Sequence, residues 1–138
     1  MNAVDSSVVV AGFASWHESH AVARRAIDQR PRLVAHCALE AYSVLTRLPA
    51  PYRVPATLVV DFLADRFPEE PLTMNPRALA QLVAELARIG IAGGTVYDGF
   101  VAMSAAAHKA TLLTLDRRAE ATYRRCGVRV RFLDGIAS

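Results

Sequence analysis

Met1-Asn2-Ala3-Val4-Asp5-Ser6-Ser7-Val8-Val9-Val10 opens the chain, and its reading decides the fold. A short apolar run meets an acid, two small hydroxyl residues follow, and a valine run resumes. Ala3 to Val10 reads as a first strand and its exit. A carboxylate in such company is expensive to bury without hydrogen bonds, a metal or a cationic partner. At the end of a first strand Asp5 projects from a sheet edge, where open α/β folds build their sites.

Working outward, strands and helices alternate. Ser15-Trp16-His17-Glu18 has the form of a capping box, opening a helix to about Gln29 that Pro31 stops. Arg32 to Ala35 reads as a short buried strand, and Ala38 to Leu48 as a helix closed by Pro49 and Pro51. A helix from Pro55 through Phe67, a short strand Leu72-Thr73-Met74 and a helix opened by Asn75-Pro76 follow. Gly93-Gly94-Thr95 resets the chain for a helix from Val96 to about His108. Thr111 to Leu115 is a strand, Arg117 to Arg125 a helix and Val128 to Phe132 a last strand. This order predicts a three-layer α/β/α domain over residues 1–138, around a mainly parallel sheet of about four to five strands.

Composition narrows the class. The chain has 138 residues, 53% hydrophobic and 21% charged, which is globular and unlike a disordered segment. No apolar run is long enough to cross a bilayer, and the start does not read as a secretory signal. Cys37 and Cys126 form no disulfide framework or metal-ligand spacing. A cytoplasmic protein is expected. Net charge is +3, carried by fifteen arginines and one lysine, Lys109. Arginine's planar fork suits phosphate, so this balance permits a nucleic-acid surface without requiring one.

The acids carry the functional signal. Of thirteen, eight fall on polar helix faces or in loops, and Glu18 belongs to the capping box. Asp5, Glu40, Asp98 and Asp116 remain, and all map to the rim where strands end and helices begin. Each has a bland reading: Asp5 as a turn cap, Glu40 paired with Arg47, Asp98 in a capping pair with Thr95, Asp116 as a helix cap. Together they form a convergent set. Converging carboxylates repel unless cations neutralise them, and oxygen-only ligands select hard ions, Mg²⁺ or Mn²⁺. Such ions bind phosphate oxygens, which points to phosphoryl transfer or phosphodiester hydrolysis.

Competing chemistries fall away. His17-Glu18-Ser19-His20 is one residue short of the zinc-protease spacing, and no phosphate-binding glycine loop or Gly-x-Ser-x-Gly elbow is present. A receiver domain needs an adjacent acid pair near the first strand, and an aspartyl-phosphate phosphatase needs an acid where Ser7 stands.

Val4-Asp5-Ser6-Ser7-Val8, Ala38-Leu39-Glu40-Ala41-Tyr42, Val96-Tyr97-Asp98-Gly99-Phe100 and Leu113-Thr114-Leu115-Asp116-Arg117-Arg118 together resemble a PIN-domain ribonuclease. Within that family the chain is most similar to VapC toxins of bacterial type II toxin–antitoxin systems. The resemblance implies a metal-dependent endoribonuclease, with Asp5, Glu40, Asp98 and Asp116 as metal-binding and catalytic acids. It implies Mg²⁺ as cofactor, with Mn²⁺ as a substitute, and products with a 5′-phosphate and a 3′-hydroxyl. Ser6 and Thr114 fall at the pocket edge, and Arg117, Arg118, Arg47 and Arg24 are candidates to steer RNA. An RNA substrate, a neutralising VapB-type antitoxin and a homodimer are further implications. Two other readings stay open: a PIN-fold nuclease in RNA processing, and a non-catalytic RNA- or protein-binding module. On this reading Asp5→Asn is expected to keep the fold and abolish cleavage.

Overall fold

The structure is a computed structural model and describes residues 1–134. Four strands form one parallel sheet in the order β2-β1-β3-β4: β1 (Asn2–Val4), β2 (Arg32–Leu33), β3 (Thr111–Thr114) and β4 (Arg129–Phe132). Val4 lies opposite Leu33 on one side and Leu113 on the other, so β1 is central. Ala3, Val4, Leu112 and Leu113 are buried, as the strands of a sheet covered on both faces must be. The chain leaves β1 for β2 on one side and reaches β3 on the other. The topological switch point therefore lies between the ends of β1 and β3, where Asp5 and Thr114 stand.

The helices are α1 (Ser6–Phe13), α2 (His20–Asp28), α3 (Ala35–Thr46), α4 (Ala56–Arg66), α5 (Pro76–Arg88), α6 (Val96–Ala106) and α7 (Arg117–Arg125). α1 packs on α2 and α3, and α3 on α4; α6 packs on α5 and α7. None of the described helices is long and apolar enough to cross a membrane.

Three expectations are corrected. Val8 to Val10 belong to α1 and not to a strand's exit: the Asp5 side chain accepts from Ser7 N and Val8 N and starts the helix at once. Val8 and Val9 are fully buried, and a helix buried on all sides carries an apolar run as readily as a strand does. The second helix starts at His20. Ser15 to Ser19 form turns instead, with His17 N bonded to Ala14 O and His20 N to His17 O, because the chain must reverse between α1 and α2. Leu72-Thr73-Met74 reduces to a single bridge, Leu72 beside Val34, which extends the sheet edge by one residue.

α6 is set close against α5 by Gly99, where an added Cβ would stand 2.6 Å from Leu86 Cδ2. That close approach fixes the helix one residue after Asp98.

Candidate active site

Asp5 follows β1 directly and is 2% exposed. Its Oδ1 accepts from Ser7 N (3.1 Å), Ser7 Oγ (2.5 Å) and Val8 N (3.3 Å). Its Oδ2 accepts from Thr114 Oγ1 (2.6 Å) and Tyr123 Oη (2.8 Å). The hydroxyls are themselves fixed, since Leu115 N donates to Ser7 Oγ (2.9 Å) and Asp116 N to Thr114 Oγ1 (2.9 Å). The turn-cap reading of Asp5 is met, but it covers one oxygen only. A network across the switch point holds the other. Burial raises the Asp5 carboxyl above its ordinary value, and the Ser7, Thr114, Tyr123 and Val8 bonds work against it.

The other three acids are half-exposed. Glu40 lies on α3, its carboxyl raised by burial and by Asp5 and lowered by His36 and by bonds from Cys37 and Ser6. Its basic neighbour is His36, with Nε2 3.9 Å from Oε1, in place of the expected Arg47. Asp98, in the first turn of α6, is pushed up to about 6 by burial, then by Asp116, Glu40 and Asp5, with Arg118 opposing. The Thr95 hydroxyl bonds Ala92 O and makes no cap for Asp98's helix. Asp116 does cap α7, its Oδ1 accepting from Arg118 N (3.0 Å) and Ala119 N (3.3 Å). Capping and convergence coexist here, because only one of its oxygens is engaged.

All four acids thus meet within reach of one another's fields, on the expected rim. Thr114 donates to Asp5, and Ser6 stands close enough to Glu40 to lower its carboxyl. Arg117 does not: its guanidinium lies 3.7 Å over the Phe132 ring and 4.0 Å from Glu120. Arg118 is the cation that faces the acids, with Nε 3.9 Å from Asp116 Oδ1 and its side chain 97% exposed. An open cleft of about 440 Å³ runs from the rim, lined by Ser6, Ser7, Val10, Val44, Leu115 and Asp116 among others.

Two residues of the network were not expected from sequence, Ser7 and Tyr123. Tyr123 stands seven residues after Asp116, two helical turns along α7, so spacing alone could have placed it over the acids. Burial and the Asp5 carboxylate raise its phenol, which therefore stays a donor. Cys37 is equally buried, and burial with Asp5 and Glu40 holds its thiol protonated, which removes a soft ligand from the site.

The donor set suits a hard cation. It consists of oxygens, with three carboxylates raising a fourth and one arginine opposing them. Among the described residues no three Asp, Glu, His or Cys converge tightly enough to ligate an ion in this conformation. An ion that keeps several of its waters needs few direct protein ligands.

The PIN domain family model matches residues 3–125. The chain is 45% identical to Ribonuclease VapC40 of Mycobacterium tuberculosis over 130 residues, 94% of this chain and 97% of that protein. It is 40% identical to Ribonuclease VapC27 of the same organism over 129 residues, 93% of each. Among solved structures, FitAcB from Neisseria gonorrhoeae superposes with a TM-score of 0.67 at 17% identity, covering all of both chains, a likeness of fold.

Proposed function

The chain belongs to the PIN domain family, and on that premise we propose that it is a VapC-type, metal-dependent endoribonuclease toxin hydrolysing RNA phosphodiester bonds. One observation carries the reading: Asp98 is raised to about 6 chiefly by burial and by three other carboxylates, a cost that a bound divalent cation removes. Glu40, Asp98 and Asp116 offer the freer oxygens and would hold Mg²⁺ or Mn²⁺ in part through the ion's waters. Asp5 adds its charge from the buried side, its oxygens already engaged by five protein donors. When bound, the ion neutralises the scissile phosphate and lowers the pKa of a bound water. Thr114, Ser7 and Tyr123 orient Asp5. Arg118 draws the RNA backbone toward a site that would otherwise repel it.

The same reading assigns a cytoplasmic setting, a VapB-type antitoxin and a homodimer. Exposed Leu58 and Val60 on α4, and exposed Trp16 and Tyr52, whose rings meet tilted at 5.1 Å, offer apolar surface suited to the antitoxin.

The test is cleavage of total RNA with Mg²⁺ or Mn²⁺, against EDTA and Asp98→Asn. Cleavage by the wild type alone, and only with metal, is expected. Equal cutting by both proteins would locate the activity outside this site. Growth arrest on expression, relieved by a co-expressed antitoxin, is the expected outcome in cells.

A further inference from the structure

Tyr97 directly precedes Asp98 at the start of α6, and its ring is 58% exposed. Large aromatics ordinarily bury their faces, so this one is open for a reason or at a cost. One face is taken. The His36 imidazole of α3 lies parallel to it, centroids 5.8 Å apart and planes 7° apart, and His36 also meets Phe100 at 5.5 Å. Each ring of the parallel pair is tied to a site acid: Tyr97 adjoins Asp98, and His36 stands one helical turn before Glu40. Two helices thus set a parallel ring pair beside Glu40 of the acid cluster.

We propose that Tyr97, backed by His36, is a stacking platform for one unpaired nucleobase beside the scissile phosphate. The inference rests on the ribonuclease reading and deepens it: the RNA is cut where a base can leave its own stack, in a single-stranded loop or end. Charge favours this occupant. The carboxylates behind the rings repel an acidic peptide, whereas a base is neutral and offers a π-face. Tyrosine gives up few rotamers on such contact. The rival occupant is a protein, because Tyr97 itself lines an apolar groove of about 300 Å³ together with Leu82, Val83, Leu86, Val96 and Phe100.

The experiment maps the cut in total RNA, then uses a synthetic strand spanning it, with an abasic residue stepped through each position. Tyr97→Ala is expected to raise KM roughly tenfold, within the range of one lost base stack, and to leave kcat within about twofold. Tyr97→Phe keeps the ring and restores KM. One abasic position should cost the wild type the same factor and cost Tyr97→Ala nothing further. An unchanged KM in Tyr97→Ala overturns the platform, as do abasic penalties that add to the mutation at every position. A change in oligomeric state without a change in KM assigns the ring to a protein contact and also overturns it. If the wild type cuts no RNA with either metal, the ribonuclease reading itself fails, a result distinct from the others.

Discussion

Asp5 and Asp98 are carboxylates of one rim in opposite surroundings. Asp5 is 2% exposed and takes five protein hydrogen bonds, so its folded state is built around an acceptor. Asp98 is half-buried, and its strongest charged neighbours are other acids. The first is a hub that joins the end of β1 to β3 and α7. The second is left at a cost that a proton or an added cation would relieve. The difference teaches that one site can contain a carboxylate the fold needs and a carboxylate the fold tolerates.

The largest effect expected separates them by activity against stability. Asp98→Asn should lower RNA cleavage by more than about 100-fold, beyond the usual loss for an outer-shell partner. It should also raise metal-free stability, by about 1 kcal/mol once solvent screening is allowed for, or roughly 2–8 °C in Tm. A fall in metal-free Tm would break the comparison. Asp5→Asn should lose both. The amide relieves the burial that raises this carboxyl, but an NH2 group cannot accept from the Thr114 and Tyr123 hydroxyls. Unmet buried groups cost about 1–3 kcal/mol each, which outweighs the relief. The sequence-based expectation of an intact fold is therefore revised to a Tm several degrees lower.

Proton linkage gives the second test. Asp98's carboxyl is raised from 3.8 to about 6, and those of Asp5 and Glu40 are raised as well. Across that window the folded protein holds protons that the unfolded chain has released, so metal-free stability should fall as pH rises from about 4 toward 7. On the metal-dependent reading, a cation would bind the ionised acids and cancel the fall. The Tm gain from Mg²⁺ should accordingly be larger at pH 7.5 than at pH 5, measured by calorimetry. An equal gain at both values would separate the ion from these acids.

Tyr123→Phe sharpens the same contrast at smaller scale. Removing one donor of five should cost about 1 kcal/mol. It should weaken Mn²⁺ affinity, read by paramagnetic titration, by about tenfold. Loss of stability with unchanged affinity would make the hydroxyl structural only.

How much of this was legible differs by region. Asp98 and Glu40 stood out because acids inside apolar helix starts have few solvent-facing explanations, and the alternation of elements set them on one rim. The valine run after Asp5 was misread because a fully buried helix and a buried strand share a continuous apolar pattern. The cap that decides between them, Asp5 to Ser7 N and Val8 N, is a geometric fact, although the Asp-Ser-Ser order hinted at it. Tyr123 is legible in its spacing, two helical turns along α7 from Asp116. The Tyr97–His36 stack was not legible at all, since it depends on how α3 crosses α6.

The smallest expected effect concerns two neighbouring arginines that sequence treats as equals. Arg117 is engaged by the Phe132 ring and Glu120, while Arg118 is open to solvent and opposes the rise of Asp98. Arg118→Ala should weaken RNA association a few-fold and reduce the slope of log K against log salt by about 0.7–1, one phosphate contact. It should also move the Asp98 titration further up, followed by carboxyl NMR. Arg117→Ala should cost about 0.5–1 kcal/mol of stability through the lost cation–π contact and leave the salt slope alone. A reversal of the two results would mean that Arg117 leaves Phe132 when RNA binds. The compensating charge would then come from α7 by rearrangement, and the acid cluster's field would no longer be set by the resting fold.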